Sequence, residues 1–232
     1  MINEASMNLK IRLSPRFSID KAHEIQRTLS ERLIREDQLP NTINYVAGVD
    51  VAYIGPFSIG AVIVSDFNSG LLIERKIASQ RTRFPYIPTL LSFREIPPVT
   101  SAIKKLKTWP DIFLVDGQGI AHPYRLGFAS HLGLILNVPA IGIAKSLLCG
   151  KVEASKDDGW NPIIHEGEVV GAAVITKLGY KPVYVSIGHK ISLETAVRIV
   201  IRCIKNHRIP EPLRQAHIVA NEEKRRIREY LQ

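Results

Sequence analysis

Two short stretches set narrow limits on the fold. In DIFLVD (111–116) and AIGIAK (140–145) an apolar run, IFLV or AIGIA, ends in a charged residue. Apolar runs without alternation belong to strands buried on both faces, in sheets that helices cover on both sides. Between them, PYRLGFASHLGLIL (123–136) reads as a helix with proline at its start. The segment is therefore a β-α-β unit with parallel strands. Upstream, YVAGVDVAYI (45–54), SIGAVIVSDF (58–67) and LLIERKIASQ (71–80) read as three strands. Short turns at Gly55-Pro56 and Asn68-Ser69-Gly70 join them, so successive strands should pair antiparallel.

The remaining segments complete a layered α/β protein. Apolar residues at Ile19, Ala22, Ile25, Leu29 and Leu33 predict an amphipathic helix over 19–38. Residues 89–107 look helical with an interruption at Pro97-Pro98. The polar stretch 151–167 is an expected surface excursion, 168–176 and 182–188 a further pair of strands, and 192–206 and 212–231 two closing helices. The order implies one three-layer domain over 1–232, with a mixed sheet and helices on both sides. No linker is polar or long enough to argue for a second domain.

Charge and composition narrow the partners. With 31 basic and 22 acidic residues the chain carries +9, an excess that favours a polyanion. The cluster EEKRRIRE (222–229) alternates signs like a solvated helix face. The longest apolar run, LGLILNVPAIGIA (132–144), is broken by Asn137 and Pro139 and falls short of the roughly 20 residues of a membrane helix. MINEASMNLKIRLSPRF (1–17) lacks the features of a signal peptide. Only Cys149 and Cys203 are present, both in apolar stretches, which suggests reduced thiols and a cytoplasmic protein. No exposed apolar helix face demands a partner, so a monomer is expected.

Three acids stand where acids are costly. Asp50 lies among apolar β-formers, where a carboxylate must be ion-paired or bound to a metal. Asp116 ends DIFLVD and opens DGQG; an acid there serves a turn or faces a ligand at the carboxyl edge of the sheet. If the two strands are neighbours, their backbones lie about 4.8 Å apart, and two such carboxylates share a proton or a cation. Glu95 would be a third ligand. All-oxygen donors, with no Cys-x-x-Cys and no His-Glu-x-x-His, suit Mg²⁺ or Mn²⁺ rather than Zn²⁺. Such a cluster is what metal-assisted phosphodiester hydrolysis needs.

Other residues gather around these acids. Gly117 and Gly119 let backbone approach a ligand, and Pro123 would open a helix whose amides favour anions. His122 is a cap, a phosphate donor or a proton carrier. Lys145 either holds charge at the same sheet edge or is a surface lysine. Ahead of Glu95, RFPYIPTLLSFRE (83–95) stiffens the backbone on both sides of Tyr86: either a protruding loop or a turn whose ring folds back onto the core.

GVD (48–50), PYIP with LLSFRE (85–95), DGQGIAHP (116–123), GIAKS (142–146) and SIGHKISLETA (186–196) together resemble the endonuclease V family of deoxyinosine-specific nucleases. The likeness runs in order over about residues 45 to 217. It implies a ribonuclease H-like fold, in which the first and fourth strands are neighbours. It implies nicking of DNA containing deoxyinosine at the second phosphodiester bond 3′ to the lesion, leaving 3′-hydroxyl and 5′-phosphate ends, with Mg²⁺ as cofactor and Mn²⁺ able to substitute. An inosine-RNA ribonuclease is the alternative within the family. Asp50, Glu95 and Asp116 match the metal-binding acids, His217 an active-site histidine, Lys145 the lysine beside the cleaved phosphate, and His122 a histidine that supports DNA contact. Pro85-Tyr86-Ile87-Pro88 matches a strand-separating wedge, and Leu91, Leu148 and the amides near Gly117 match the base pocket. Hypoxanthine lacks the 2-amino group of guanine and carries O6 unlike adenine, so that pocket must take an acceptor at position 6 and exclude bulk at position 2. The chain departs from the family pattern at Thr89, where relatives have glycine, at FREIPP in place of FRE-Gly-Pro, and at Tyr124 in place of arginine.

Overall fold

The structure, a computed structural model, describes residues 18–155 and 159–230; readings on 1–17, 156–158 and 231–232 lie outside them. Nine strands form one mixed sheet: β1 (Tyr45–Ile54), β2 (Phe57–Asp66), β3 (Leu72–Arg81), β4 (Ile112–Asp116), β5 (Ala140–Ala144), β6 (Lys151–Val152), β7 (Asn161–His165), β8 (Glu168–Val174) and β9 (Val183–His189). Their order is β3-β2-β1-β4-β5-β9-β8-β7-β6. The hairpins pair β1, β2 and β3 antiparallel, β1, β4 and β5 run parallel, and β9 returns antiparallel to β5. The expected strand adjacency is therefore present.

Among the described residues there are five helices, α1 (Ile19–Ser30), α2 (Leu91–Ile103), α3 (Phe128–Leu136), α4 (Leu193–Arg202) and α5 (Glu211–Tyr230), of which α2 to α5 cover this sheet. Alternation along β1 assigns the faces. Ala47 and Val49 pack with Val99 of α2 and Phe128 and Leu132 of α3. Val46 packs with Ala196 and Val200 of α4 and Leu213 of α5, and Ala52 with Ala216 and Val219 of α5. Even-numbered residues of β1, Asp50 among them, thus face α5. Gly48 sets the depth of that contact, because a Cβ there would lie 2.1 Å from the Pro212 carbonyl oxygen.

Four elements differ from the sequence-based expectation. Helix α1 stops at Ser30 rather than 38, because the chain turns off to bond the end of β9: Lys190 N–H donates to the Ile34 carbonyl at 2.7 Å. Asp37 then accepts from Ser192 N–H at 2.7 Å and Thr195 Oγ1 at 2.7 Å, holding the start of α4. Helix α2 runs through Pro97 and Pro98 without interruption. Proline's φ suits a helix, but each proline forgoes the bond to residue i−4 and crowds its carbonyl; Pro98 sits against Gly60 of β2, whose Cβ would meet its carbonyl oxygen at 2.5 Å.

Helix α3 begins at Phe128, five residues after Pro123, with Arg125 left-handed (φ 52°) in the intervening turn. Its first amides are already engaged: Gly127 and Ala129 N–H donate to the Gly119 and Gln118 carbonyls at 3.0 and 2.9 Å. The expected anion site at a Pro123 helix start is therefore absent. The excursion 151–167 carries β6 and β7, which extend the sheet edge. Among the described residues no helix is long and apolar enough to cross a membrane.

Candidate metal centre and nucleic-acid interface

Asp50 is in the middle of its strand but at the end of its neighbour. The register pairs Val49 with Val115, and β4 finishes at Asp116. Beyond that step β1 continues beside β2 alone, so one flank of Asp50 opens where the Asp116 side chain emerges. The helix docked on Gly48 brings His217 to the same place, its Nδ1–H donating to Asp50 Oδ2 at 2.7 Å. Asp50, Asp116 and His217 each offer a ligand atom within 4.8 Å of the others. Lys145, one residue past β5, donates from Nζ to Asp116 Oδ2 at 2.6 Å.

Glu95 enters from α2, the helix that follows the Pro-Tyr-Ile-Pro loop. It is 7% exposed, and its Oε2 has no hydrogen-bond partner. Burial pushes its carboxyl well above the usual carboxylate range, and the charges of Asp50 and Asp116 push it further. Burial and then the Asp116 charge likewise raise Asp50, against the lowering hydrogen bond from His217. Buried, mutually repelling carboxylates with one orphaned oxygen are what a divalent cation relieves. The residues present fit such an ion, with oxygen donors and one imidazole.

The other sequence candidates divide. Tyr86 is 67% exposed, so its ring does not fold back onto the core. Pro88 is exposed, Pro85 and Ile87 are half-buried, and Leu91 and Leu148 present apolar surface to solvent. Gly119 is not a ligand-approach glycine. A Cβ there would lie 2.0 Å from the Ile187 carbonyl oxygen, and its N–H is given to Ser186 Oγ at 2.8 Å. The Gly117 amide is likewise given to the Ile143 carbonyl at 3.1 Å.

His122 is buried, with both ring nitrogens engaged inside the protein. Its Nδ1 accepts from Tyr124 N–H at 3.1 Å, so Nε2 carries the proton and donates to the Thr89 carbonyl at 3.0 Å. Burial lowers its pKa to about 4, which keeps the ring neutral in that role. The position it holds is unusual. Thr89 has φ 71°, a left-handed conformation that costs a residue with a side chain about 1–2 kcal/mol.

Three residues went unread in the sequence. Tyr53 lies under the Arg94 guanidinium (4.2 Å to the ring centroid) with its hydroxyl 3.5 Å from Glu95 Oε1. Asn221 donates to the His217 carbonyl at 2.8 Å and lies 3.3 Å from its Nε2; the i,i+4 spacing to His217 could have found it. Gln26 is fully buried in a helix whose apolar residues drew the attention instead.

A mixed sheet of this order, covered on both faces and carrying clustered acids where β1 and β4 meet, is a ribonuclease H-like fold. The likeness to known proteins is narrower. The family model described as Endonuclease V matches residues 27–218. A Nostoc endonuclease V is 51% identical over 208 residues, 88% of this chain and 94% of its own. The Bacillus subtilis endonuclease V structure superposes with a TM-score of 0.86 at 31% identity, covering 95% of this chain and 98% of that one. The Ciona intestinalis enzyme, solved with a 24mer DNA containing an inosine followed by a ribo-adenosine, gives 0.81 at 32% identity, covering 90% and 98%. The chain belongs to the endonuclease V family.

Proposed function

We propose that this protein nicks strands containing deoxyinosine, hydrolysing the second phosphodiester bond 3′ to the lesion, with Mg²⁺ as its natural cation and Mn²⁺ as a substitute. The observation that carries the reading is the Asp50, Asp116 and His217 cluster beside the orphaned Glu95 oxygen. Asp50, Asp116 and Glu95 would hold the ion, which supplies polarisation of the phosphoryl oxygen and an activated water when bound. His217 is held between Asp50 and Asn221 with its Nδ1–H on Asp50, which leaves Nε2, on the Asn221 side, as its proton-accepting nitrogen. Lys145 neutralises Asp116 and presents a cation to the phosphate edge.

Tyr86 would enter the duplex, and α2 connects that loop directly to Glu95. Insertion between base steps must supply unstacking energy of a few kcal/mol, which a loop already ordered does without further loss. Tyr86→Ala is therefore expected to lower binding of a lesion duplex about tenfold more than binding of the lesion single strand. Equal losses, measured by fluorescence anisotropy in EDTA, would reject the wedge.

Helix α5 extends the interface outward. In EEKRRIRE the helix separates what the linear order mixes. His217, Asn221, Lys224, Arg225 and Arg228 line a concavity of about 400 Å³ that begins at the metal centre and contains no acid. Glu222, Glu223 and Arg226 line a different one with Arg75 and Lys105. From His217 to Arg228 the helix rises about 16 Å, the axial length of about five nucleotides. Replacing Lys224 and Arg225 with Gln should flatten the dependence of log affinity on log salt by about 2 units. The matched pair Arg75→Gln and Arg226→Gln should leave the slope in place.

The inosine reading is tested by competing deoxyinosine duplex, the same duplex with guanine, and inosine RNA in one reaction. Preferential cutting of the deoxyinosine strand supports it. The ribo-adenosine next to inosine in the Ciona substrate favours the RNA reading as the alternative, and dominant cutting of RNA would establish that instead.

A further inference from the structure

Helix α1 docks by a polar face. Ile19 and Ile25, two residues of its apolar periodicity, are 46% and 49% exposed, whereas Gln26 is 0% exposed. Residues 23, 26 and 27 lie together on one side of a helix at i, i+3 and i+4 spacing. All three reach the base of the Tyr86 loop and the turn beside it. Gln26 Nε2 donates to the Thr89 carbonyl at 2.8 Å and to the Leu126 carbonyl at 3.2 Å. His23 Nε2 lies 2.9 Å from Thr89 Oγ1, which itself donates to the Pro88 carbonyl at 2.5 Å. The His23 ring stacks on Tyr124 with centroids 4.0 Å apart, and the Arg27 guanidinium lies 4.9 Å over that same ring. His122 also donates to the Thr89 carbonyl, at 3.0 Å.

Thr89 is thus held at its carbonyl by two donors and at its hydroxyl by a third group, at the one position of the loop whose φ is left-handed. A glycine would reach that φ without help; a β-branched residue would not. We infer that α1 is the positioning element of the strand-opening loop: Gln26 and His23, together with His122, clamp Thr89 in its left-handed state and so preset the exit of Pro85-Tyr86-Ile87-Pro88 before any duplex is met. The inference rests on the wedge reading of Tyr86 and adds its support. In the free protein an unclamped Thr89 relaxes toward ordinary backbone, and the loop must then be ordered again on every encounter. The clamp also accounts for a fully buried glutamine on a short surface helix, and for Tyr124 serving as the platform that His23 and Arg27 share.

The test is a cycle of Gln26→Met, which keeps volume and removes the donor, and Thr89→Gly, which removes the need for it. Melting curves establish that each variant is folded. If Gln26→Met does not fold, His23→Ala, which removes the hydroxyl contact together with the stack on Tyr124, takes its place in the cycle. Two readouts are followed: trypsin cleavage of the native protein after Arg83, and nicking of deoxyinosine in duplex against single strand. Gln26→Met should speed the Arg83 cut and lower duplex nicking about tenfold, with less than about threefold change on single strands. In the Thr89→Gly background the same substitution should change duplex nicking less than about threefold and leave the protease rate unaltered. Equal effects of Gln26→Met in both backgrounds would make Gln26 an ordinary packing residue and overturn the clamp. Tyr86→Ala in the same assay reports on the wedge separately. If it spares duplex nicking while the cycle still couples in the protease readout, the clamp stands as a loop-ordering device and the wedge reading falls.

Discussion

Asp50→Asn should abolish nicking while raising the melting temperature of the metal-free protein. Both effects come from one arrangement. Asp50 and Glu95 are buried acids whose carboxyls sit above their ordinary range through desolvation and mutual repulsion. For an acid raised in the folded state, no cost exists at low pH, where both states are protonated. The cost appears as pH rises past the unfolded value near 4 and grows until the folded value is passed. Metal-free protein therefore loses stability toward neutral pH, and removing one charge returns part of it. A gain of about 1–2 kcal/mol corresponds to about 2–8 °C for a chain of this size. The same carboxylates must be deprotonated to hold a cation, so Mg²⁺ affinity should rise with pH across that window. In wild type, added Mg²⁺ should raise the melting temperature; in Asp50→Asn that shift should vanish, with nicking down at least about a thousandfold. A lower melting temperature in EDTA would return Asp50 to a purely structural ion pair with His217.

Gly48→Ala should act from two positions away and through packing alone. The added Cβ would lie 2.1 Å from the Pro212 carbonyl oxygen and 2.6 Å from the Leu213 nitrogen, both backbone. No rotamer relieves a clash with backbone, so α5 must lift from β1. Overpacking of this kind costs about 3 kcal/mol, or about 6–12 °C in melting temperature. Because α5 carries His217, the 2.7 Å bond to Asp50 is lost with the docking. Thermal melting and nicking should therefore fall together, and Mg²⁺ should recover stability only in part. An unchanged melting temperature would show that the helix seats on β1 with room to spare.

What could be read in the chain follows from where the physics is local. DIFLVD, AIGIAK and the three hairpin strands were legible because burial on both faces and short turns leave a direct mark on composition. Asp50 was legible because an acid among β-formers breaks that pattern. The face of α1 was not, since its apolar spacing pointed at Ile19 and Ile25 while a buried amide, Gln26, makes the contact. Helix boundaries failed where partners far along the chain decide them. Pro123 carries a start signal, yet the Gln118 and Gly119 carbonyls fix the start at Phe128. Gly119 likewise looked like a ligand-approach residue, and only the position of the Ile187 carbonyl reveals that it serves the sheet. Thr89 read as an oddity against its family, and its meaning appears only with φ and the three groups that hold it.

The central claim is that the acid cluster drives lesion-directed, metal-dependent hydrolysis. It is tested most directly by mapping the product ends from a duplex with one deoxyinosine, incubated with the protein in Mg²⁺ and in EDTA. One cut is expected in the lesion strand, at the second phosphodiester bond 3′ to the inosine, with 3′-hydroxyl and 5′-phosphate ends and nothing in EDTA. Cutting that persists in EDTA, or that falls equally on the guanine duplex, would contradict it.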